Sequence, residues 1–170
     1  MAIDECKYSF TQLAYKVLPD YMKKLRNNME NPMPMSKFAE NGKGVASILR
    51  EYNIPQDFKG CYVLIRNKRS IYVGISQRVF NRLLQHVLGK THFDASLAYR
   101  IAAQKCPHKM TRFRVMKDQK FLEYFNAAKR YIRGLKAAFI EVDNPLELYL
   151  FEAYCAMELD TSKHNTFETH

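Results

Sequence analysis

The sequence predicts a mixed α/β (α+β) fold: a small three-stranded antiparallel sheet flanked by helices, with a helical N-terminal arm and a basic helical insert. Three observations predict it. Two short apolar runs, residues 61–65 and 71–74, flank the polar turn Arg66-Asn67-Lys68-Arg69, the pattern of a β-hairpin. A third apolar run, residues 135–142, can supply the remaining strand. Helical spacing of apolar residues accounts for most of the rest.

The elements follow in order. Phe10, Leu13, Ala14, Val17 and Leu18 share a helical face, and Ser9 is a candidate cap. Pro19 is expected to interrupt this helix, which resumes over residues 21–30. Asn31-Pro32-Met33-Pro34 and Asn41-Gly42-Lys43-Gly44 read as breaks, leaving short helices at 36–40 and 45–52. Residues 1–57 thus form an arm suited to packing or dimerisation, the alternative being a DNA clasp, and residues 58–170 the main domain. After the hairpin, Val79, Leu83 and Val87 recur at i, i+4 and i+8, with Arg78, Arg82 and His86 on a neighbouring face. The insert covers about 88–134. Within it, residues 95–104 read as a helix with Leu97, Tyr99 and Ile101 inward. Residues 111–115 alternate basic and apolar, as a half-buried strand or extended segment would. Residues 121–132 form a second helix ended by Gly134.

The last helix, residues 146–159, follows Asp143-Asn144-Pro145. On a helical wheel Glu147 and Glu158 fall within about 20° of each other and mark a wet stripe, while Glu152 lies about 140° from Glu147. Its helical neighbours are Leu148, Tyr149, Cys155 and Ala156. A carboxylate on an apolar face must pair, bind a metal or take up a proton. Glu152 is therefore a candidate metal ligand, the alternative being a salt bridge to an arginine elsewhere in the core.

Charge is unevenly distributed along the 170 residues. Residues 1–59 hold nine Lys/Arg against seven Asp/Glu, residues 60–136 hold 17 against three, and residues 137–170 hold one against seven. A basic block with interleaved aromatics implies a polyanion partner, most simply nucleic acid. Arg78, Lys109, Arg112, Arg114, Lys117, Lys120, Lys129, Arg130 and Arg133 are the candidate DNA-phosphate contacts, a kind of contact that positions without reading sequence. No apolar run is long enough to span a membrane, and the N-terminus lacks the apolar core of a signal peptide. Cys6, Cys61, Cys106 and Cys155 are scattered without CxxC pairs, which fits a reducing cytoplasm rather than a zinc site or disulfide framework.

One set of residues resembles a known signature. Gly60-Cys61-Tyr62, then Tyr72-Val73-Gly74, Ser76, Arg82 and His86 resemble the motif of the GIY-YIG nucleases. Arg82 and His86 stand eight and twelve residues after Gly74, the family's offsets. The family also carries a glutamate on a later helix and an asparagine beyond it, and Glu152 and Asn165 are 13 apart. Cys61 replaces the usual apolar residue, and Val73 replaces isoleucine with another β-branched side chain. The resemblance covers roughly residues 58–90 and 135–166, a little over half the chain.

It implies a metal-dependent DNA endonuclease whose catalytic residues are Tyr62, Tyr72, Arg82, His86, Glu152 and Asn165. Glu152 would hold one Mg²⁺ or Mn²⁺, ions suited to hard carboxylate and water ligands. Arg82 would bind the scissile phosphate through its planar fork. Tyr62 or His86 would take the proton, Tyr72 would orient water or phosphate, and Asn165 would support the metal or nearby backbone. The expected partner is double-stranded DNA, cut by a homodimer of restriction, mobile-element or defence type. The alternatives are a structure-specific repair nuclease and a catalytically inactive nucleic-acid-binding module.

Overall fold

A computed structural model describes residues 3–167. In chain order the elements are a short 3₁₀ turn at Ile3–Glu5, α1 (Phe10–Gln12), a π-helical stretch Leu13–Val17, α2 (Leu18–Asn28), β1 (Met33–Pro34) and a 3₁₀ helix Met35–Ala39. Then come α3 (Val45–Glu51), β2 (Gly60–Arg66), β3 (Arg69–Ser76), α4 (Val79–Leu88), α5 (Ser96–Lys105), α6 (Arg112–Val115), α7 (Gln119–Arg133), β4 (Lys136–Glu141) and α8 (Pro145–Glu158). The strands form a four-stranded antiparallel sheet in the order β1-β4-β2-β3. It has one strand more than expected, the two-residue β1, which is too short to leave a periodic signal. No helix among the described residues is long and apolar enough to cross a membrane.

The chain divides into two compact units. Among the described residues the first comprises 3–33, 58–79 and 136–167, and the second 34–57 and 80–135. Residues 3–33 of the N-terminal arm fall in the first unit and residues 34–57 in the second.

In the first unit, β2 pairs with β3 on one side and β4 on the other. The hairpin turns at Asn67 and Lys68, both with positive φ (48° and 64°), the backbone of a type I′ turn that matches strand twist. Because side chains alternate along a strand, Cys61, Val63 and Ile65 point to one face and Tyr62 and Leu64 to the other. The first face joins Val73, Ala138 and Ile140 in a core closed by Leu18, Met22 and Leu25 of α2 and by Leu148, Phe151 and Cys155 of α8. Each fully buried side chain of this size contributes roughly 1.5–3 kcal/mol.

Three expectations need correction in this unit. Ser9 does cap α1, in a reciprocal capping box with Gln12, but Pro19 does not break the helix. It sits in the first turn of α2, where no amide donor is needed, and the backbone adjusts through the π-helical turn before it. Glu147 is not on a wet stripe: it is 6 % exposed. Its carboxylate accepts hydrogen bonds from the Tyr21 hydroxyl (2.6 Å) and the Cys6 thiol (3.7 Å). Burial, reinforced by the Glu147 carboxylate, pushes the Tyr21 phenol up from its ordinary value. Glu158, on the same stripe, is exposed and pairs with Arg26 at 3.4 Å. Finally, Tyr149 beside Glu152 is exposed, so Glu152 lies at the border of the apolar face.

In the second unit α5 packs on α7. Phe121, Phe125, Ala128 and Ile132 of α7 recur at helical spacing and are buried, as are Leu97, Ile101 and Ala102 of α5. Phe38 packs against Phe80 of α4 at 6.0 Å. Residues 111–115 are not a strand. Thr111 accepts from the Arg114 amide and caps the short helix α6, so the alternation is that of one helical turn with Val115 inward.

Candidate active site

The two motif glycines have separate physical reasons. A Cβ on Gly60 would stand 2.0 Å from the Ile140 carbonyl oxygen, so only glycine lets β2 and β4 approach here. A Cβ on Gly74 would stand 2.5 Å from the Tyr62 phenol. Tyr62 lies opposite Gly74 in the β2–β3 ladder, and its ring crosses the space that a side chain there would fill. Tyr72, one register step away opposite Leu64, brings its ring to 6.2 Å from that of Tyr62. The hairpin therefore delivers both tyrosines to one sheet face, away from the core that α2 and α8 close. Tyr62 is 1 % exposed and Tyr72 8 %.

Glu152 is half-buried on α8, next to Phe151 and one turn before Cys155. Cys61 is fully buried; burial above all, then a hydrogen bond with Cys155 and the Glu152 charge, pushes its thiol well up. Cys61, at the variant motif position, is thus a core thiol. Asn165 supports backbone: its Nδ2 donates to the Val73 carbonyl (2.8 Å) and its Oδ1 accepts from the Val73 amide (2.9 Å). The side chain acts as one more strand residue on the edge of β3, satisfying both groups an edge strand leaves open. Asn165→Ala is expected to cost about 1–2 kcal/mol and to speed exchange of the Val73 amide hydrogen. Unchanged exchange at Val73 would contradict this role.

Ser76 and Arg78 make the bend between β3 and α4: Ser76 Oγ accepts from the Arg78 amide and donates to its carbonyl, both at 3.0 Å. In the second unit, Asp57 caps α4 by accepting from the Phe80 and Asn81 amides, each at 2.9 Å. Sequence spacing gives no sign of this cap, because it lies 23 residues before the amide it serves.

Arg82 is held by four acceptors: Gln85 Oε1 (3.2 Å), the carbonyls of Phe93 (3.4 Å) and Asp94 (2.8 Å), and Ser96 Oγ (2.6 Å). None of them is a carboxylate. They orient the guanidinium without cancelling its charge, the arrangement an anion-binding arginine needs.

His86, one turn on, is fully buried rather than on a solvated face. Burial, together with the Arg82 and Arg100 charges, pushes its imidazole down to about 3. The folded state thus holds it neutral, while the unfolded chain takes up a proton near the ordinary value. The stability this contributes is complete above pH 6.5 and is lost as pH falls from there toward 3. Urea titrations from pH 6.5 down to 5 are expected to show a loss of about 2 kcal/mol, at roughly 1.4 kcal/mol per pH unit. His86→Gln should remove that loss; a flat wild-type profile would refute the assignment.

The basic candidates belong mostly to the second unit. Between Phe80 and Leu135 twelve Lys/Arg stand against three Asp/Glu. Arg78 of the first unit is exposed, as are Lys109, Arg112, Arg114, Lys117, Lys120, Arg130 and Arg133 of the second. Lys129 is half-buried, and burial, with the nearby Lys90 charge, lowers its ammonium below the usual range.

Of the six candidate catalytic residues, the first unit holds Tyr62, Tyr72, Glu152 and Asn165, and the second holds Arg82 and His86. No group of three or more His, Cys, Asp or Glu side chains among the described residues could cage a metal ion. A site with a single carboxylate ligand suits an ion that keeps its waters and shares its substrate's phosphates, as Mg²⁺ does. The chain matches no protein-family model, no curated protein and no solved structure.

Proposed function

We propose that this protein is a DNA endonuclease of GIY-YIG type that hydrolyses phosphodiester bonds with one divalent metal. The observation that carries the reading is Arg82, a cation within the motif spacing whose four acceptors among the described residues are all neutral. The tyrosine pair seated on Gly74 supports it.

In this reading Arg82 binds the scissile phosphate and stabilises the charge that builds on its oxygens. Tyr62 takes the proton of the attacking water, and Tyr72 orients that water. His86 is unsuited to the proton's role, because a group held down to about 3 has little affinity for it near neutral pH. His86 instead packs as a neutral imidazole behind Arg82. Glu152, with waters, would hold Mg²⁺ or Mn²⁺, which when bound supplies Lewis-acid stabilisation of phosphate and leaving oxygen. Asn165 keeps the β3 backbone, and hence Tyr72, in register.

The test is incubation of supercoiled plasmid with the purified protein in Mg²⁺, in Mn²⁺ and in EDTA. Nicking or linearisation that depends on metal is expected. Discrete fragments from linear duplex would assign sequence specificity, and cutting confined to flaps or branches a repair-type substrate. Retardation of the plasmid without cleavage in any metal would overturn the nuclease reading in favour of a binding module.

A further inference from the structure

Two large aromatic rings of the second unit stand in water: Phe93 is 74 % exposed and Phe113 65 %. Leaving such a ring out of the core forgoes the gain from burying its apolar surface. Neither ring is exposed because its backbone is loose. The Phe93 carbonyl accepts from Arg82, and the adjoining turn is closed by Thr91 and Asp94 (2.7 and 3.1 Å). Phe113 lies in α6, capped by Thr111 and anchored two residues on by the buried Val115.

Each ring has aromatic or cationic neighbours. The His92 and Phe93 rings lie 4.0 Å apart, and His92 lies 5.8 Å from Tyr99. The Arg112 guanidinium stands 5.6 Å from the Tyr99 ring, and Lys117 reaches over Phe113 at 4.3 Å. The two groups are joined through the consecutive residues Arg112 and Phe113 of α6, and together make a strip of aromatics and cations.

We propose that this strip binds single-stranded DNA, with Phe93 and Phe113 stacking on unpaired bases and Arg112 and Lys117 holding phosphates between them. The inference rests on the nucleic-acid reading of the basic unit and on nothing about cleavage. Base stacking on exposed rings in a cationic groove is the general chemistry of strand binding. Duplex DNA offers the rings no base face, because its bases are stacked on one another and present only their edges. A second copy of the chain is a poor occupant, since it would bring a like-charged surface against this one. An unpaired strand supplies both missing partners, base faces and negative charge. Such a surface favours a substrate with flaps, gaps or other unpaired segments.

The test is fluorescence anisotropy of the full chain in EDTA, where no cutting occurs, with a labelled oligothymidylate and a blunt duplex of equal length. Phe93→Ala and Phe113→Ala are each expected to weaken strand binding about tenfold or more, at 1–3 kcal/mol per stacked base. Duplex binding should change little, and Phe93→Tyr and Phe113→Tyr should restore strand binding. Because both rings are exposed, unchanged thermal melts should accompany the loss. Strand binding equal to wild type in both alanine variants would overturn the proposal while leaving the nucleic-acid reading intact. So would an alanine variant whose change appears in sedimentation mass instead, which marks an interface between copies. Failure of the wild-type chain to bind any DNA would overturn both.

Discussion

Gly60→Ala is expected to be among the most damaging single substitutions in the first unit, costing more than about 3 kcal/mol, the upper range for overpacking a closed site. The added Cβ would sit 2.0 Å from a backbone carbonyl oxygen, that of Ile140, and a carbonyl inside a ladder cannot rotate away as a side-chain tip can. Relief requires the β2–β4 ladder to open at its Gly60↔Glu141 end, which sacrifices pairing beside the core residues Cys61 and Ile140. For a domain whose total stability is about 5–15 kcal/mol, that is a large fraction. Urea denaturation followed by circular dichroism measures it. A loss below about 1 kcal/mol would mean that this end of the ladder yields freely.

The second large effect is on activity. Glu152→Gln is expected to reduce metal-dependent plasmid cleavage by about 10³-fold, the scale of losing a preorganised charge at a phosphoryl centre, with the fold intact. Glutamine keeps the shape at the border of the α8 core, so a loss cannot be ascribed to a cavity. A second readout separates the charge from the fold. An unchanged thermal melt of Glu152→Gln would show that the loss comes from the missing charge and not from the fold. Binding to DNA in EDTA should persist, because the exposed cations of the second unit are untouched. Cleavage at the wild-type rate in Glu152→Gln would remove Glu152 from the mechanism.

The hairpin is legible in the residues alone, because turn chemistry and β-branched runs are local: Asn67 and Lys68 adopt the left-handed backbone that the turn demands. The helical face of Val79, Leu83 and Val87 is buried as its spacing predicts. The Ser9 cap lies three residues from its partner Gln12, well within local reach. Local rules fail where they meet a distant partner. Glu147 has the right angular position for a wet stripe, yet Tyr21 lies 126 residues away in sequence and its hydroxyl occupies the carboxylate. The alternation of residues 111–115 is compatible with a strand or a helical turn, and the Thr111 cap with Val115 as anchor selects the turn.

The candidate site divides along the same line. The resemblance carried by the motif residues singled out which six side chains to consider, and the charge distribution along the sequence by itself determined which stretch of the chain is basic. Only the tertiary structure decided their condition. It set His86 in a dry, cationic neighbourhood that holds it neutral, gave Arg82 its neutral acceptors, and turned Asn165 to the edge of β3. Sequence periodicity records which face of an element is apolar. Protonation, orientation and edge pairing depend on what the rest of the fold brings to that face, and several of those partners lie tens of residues away.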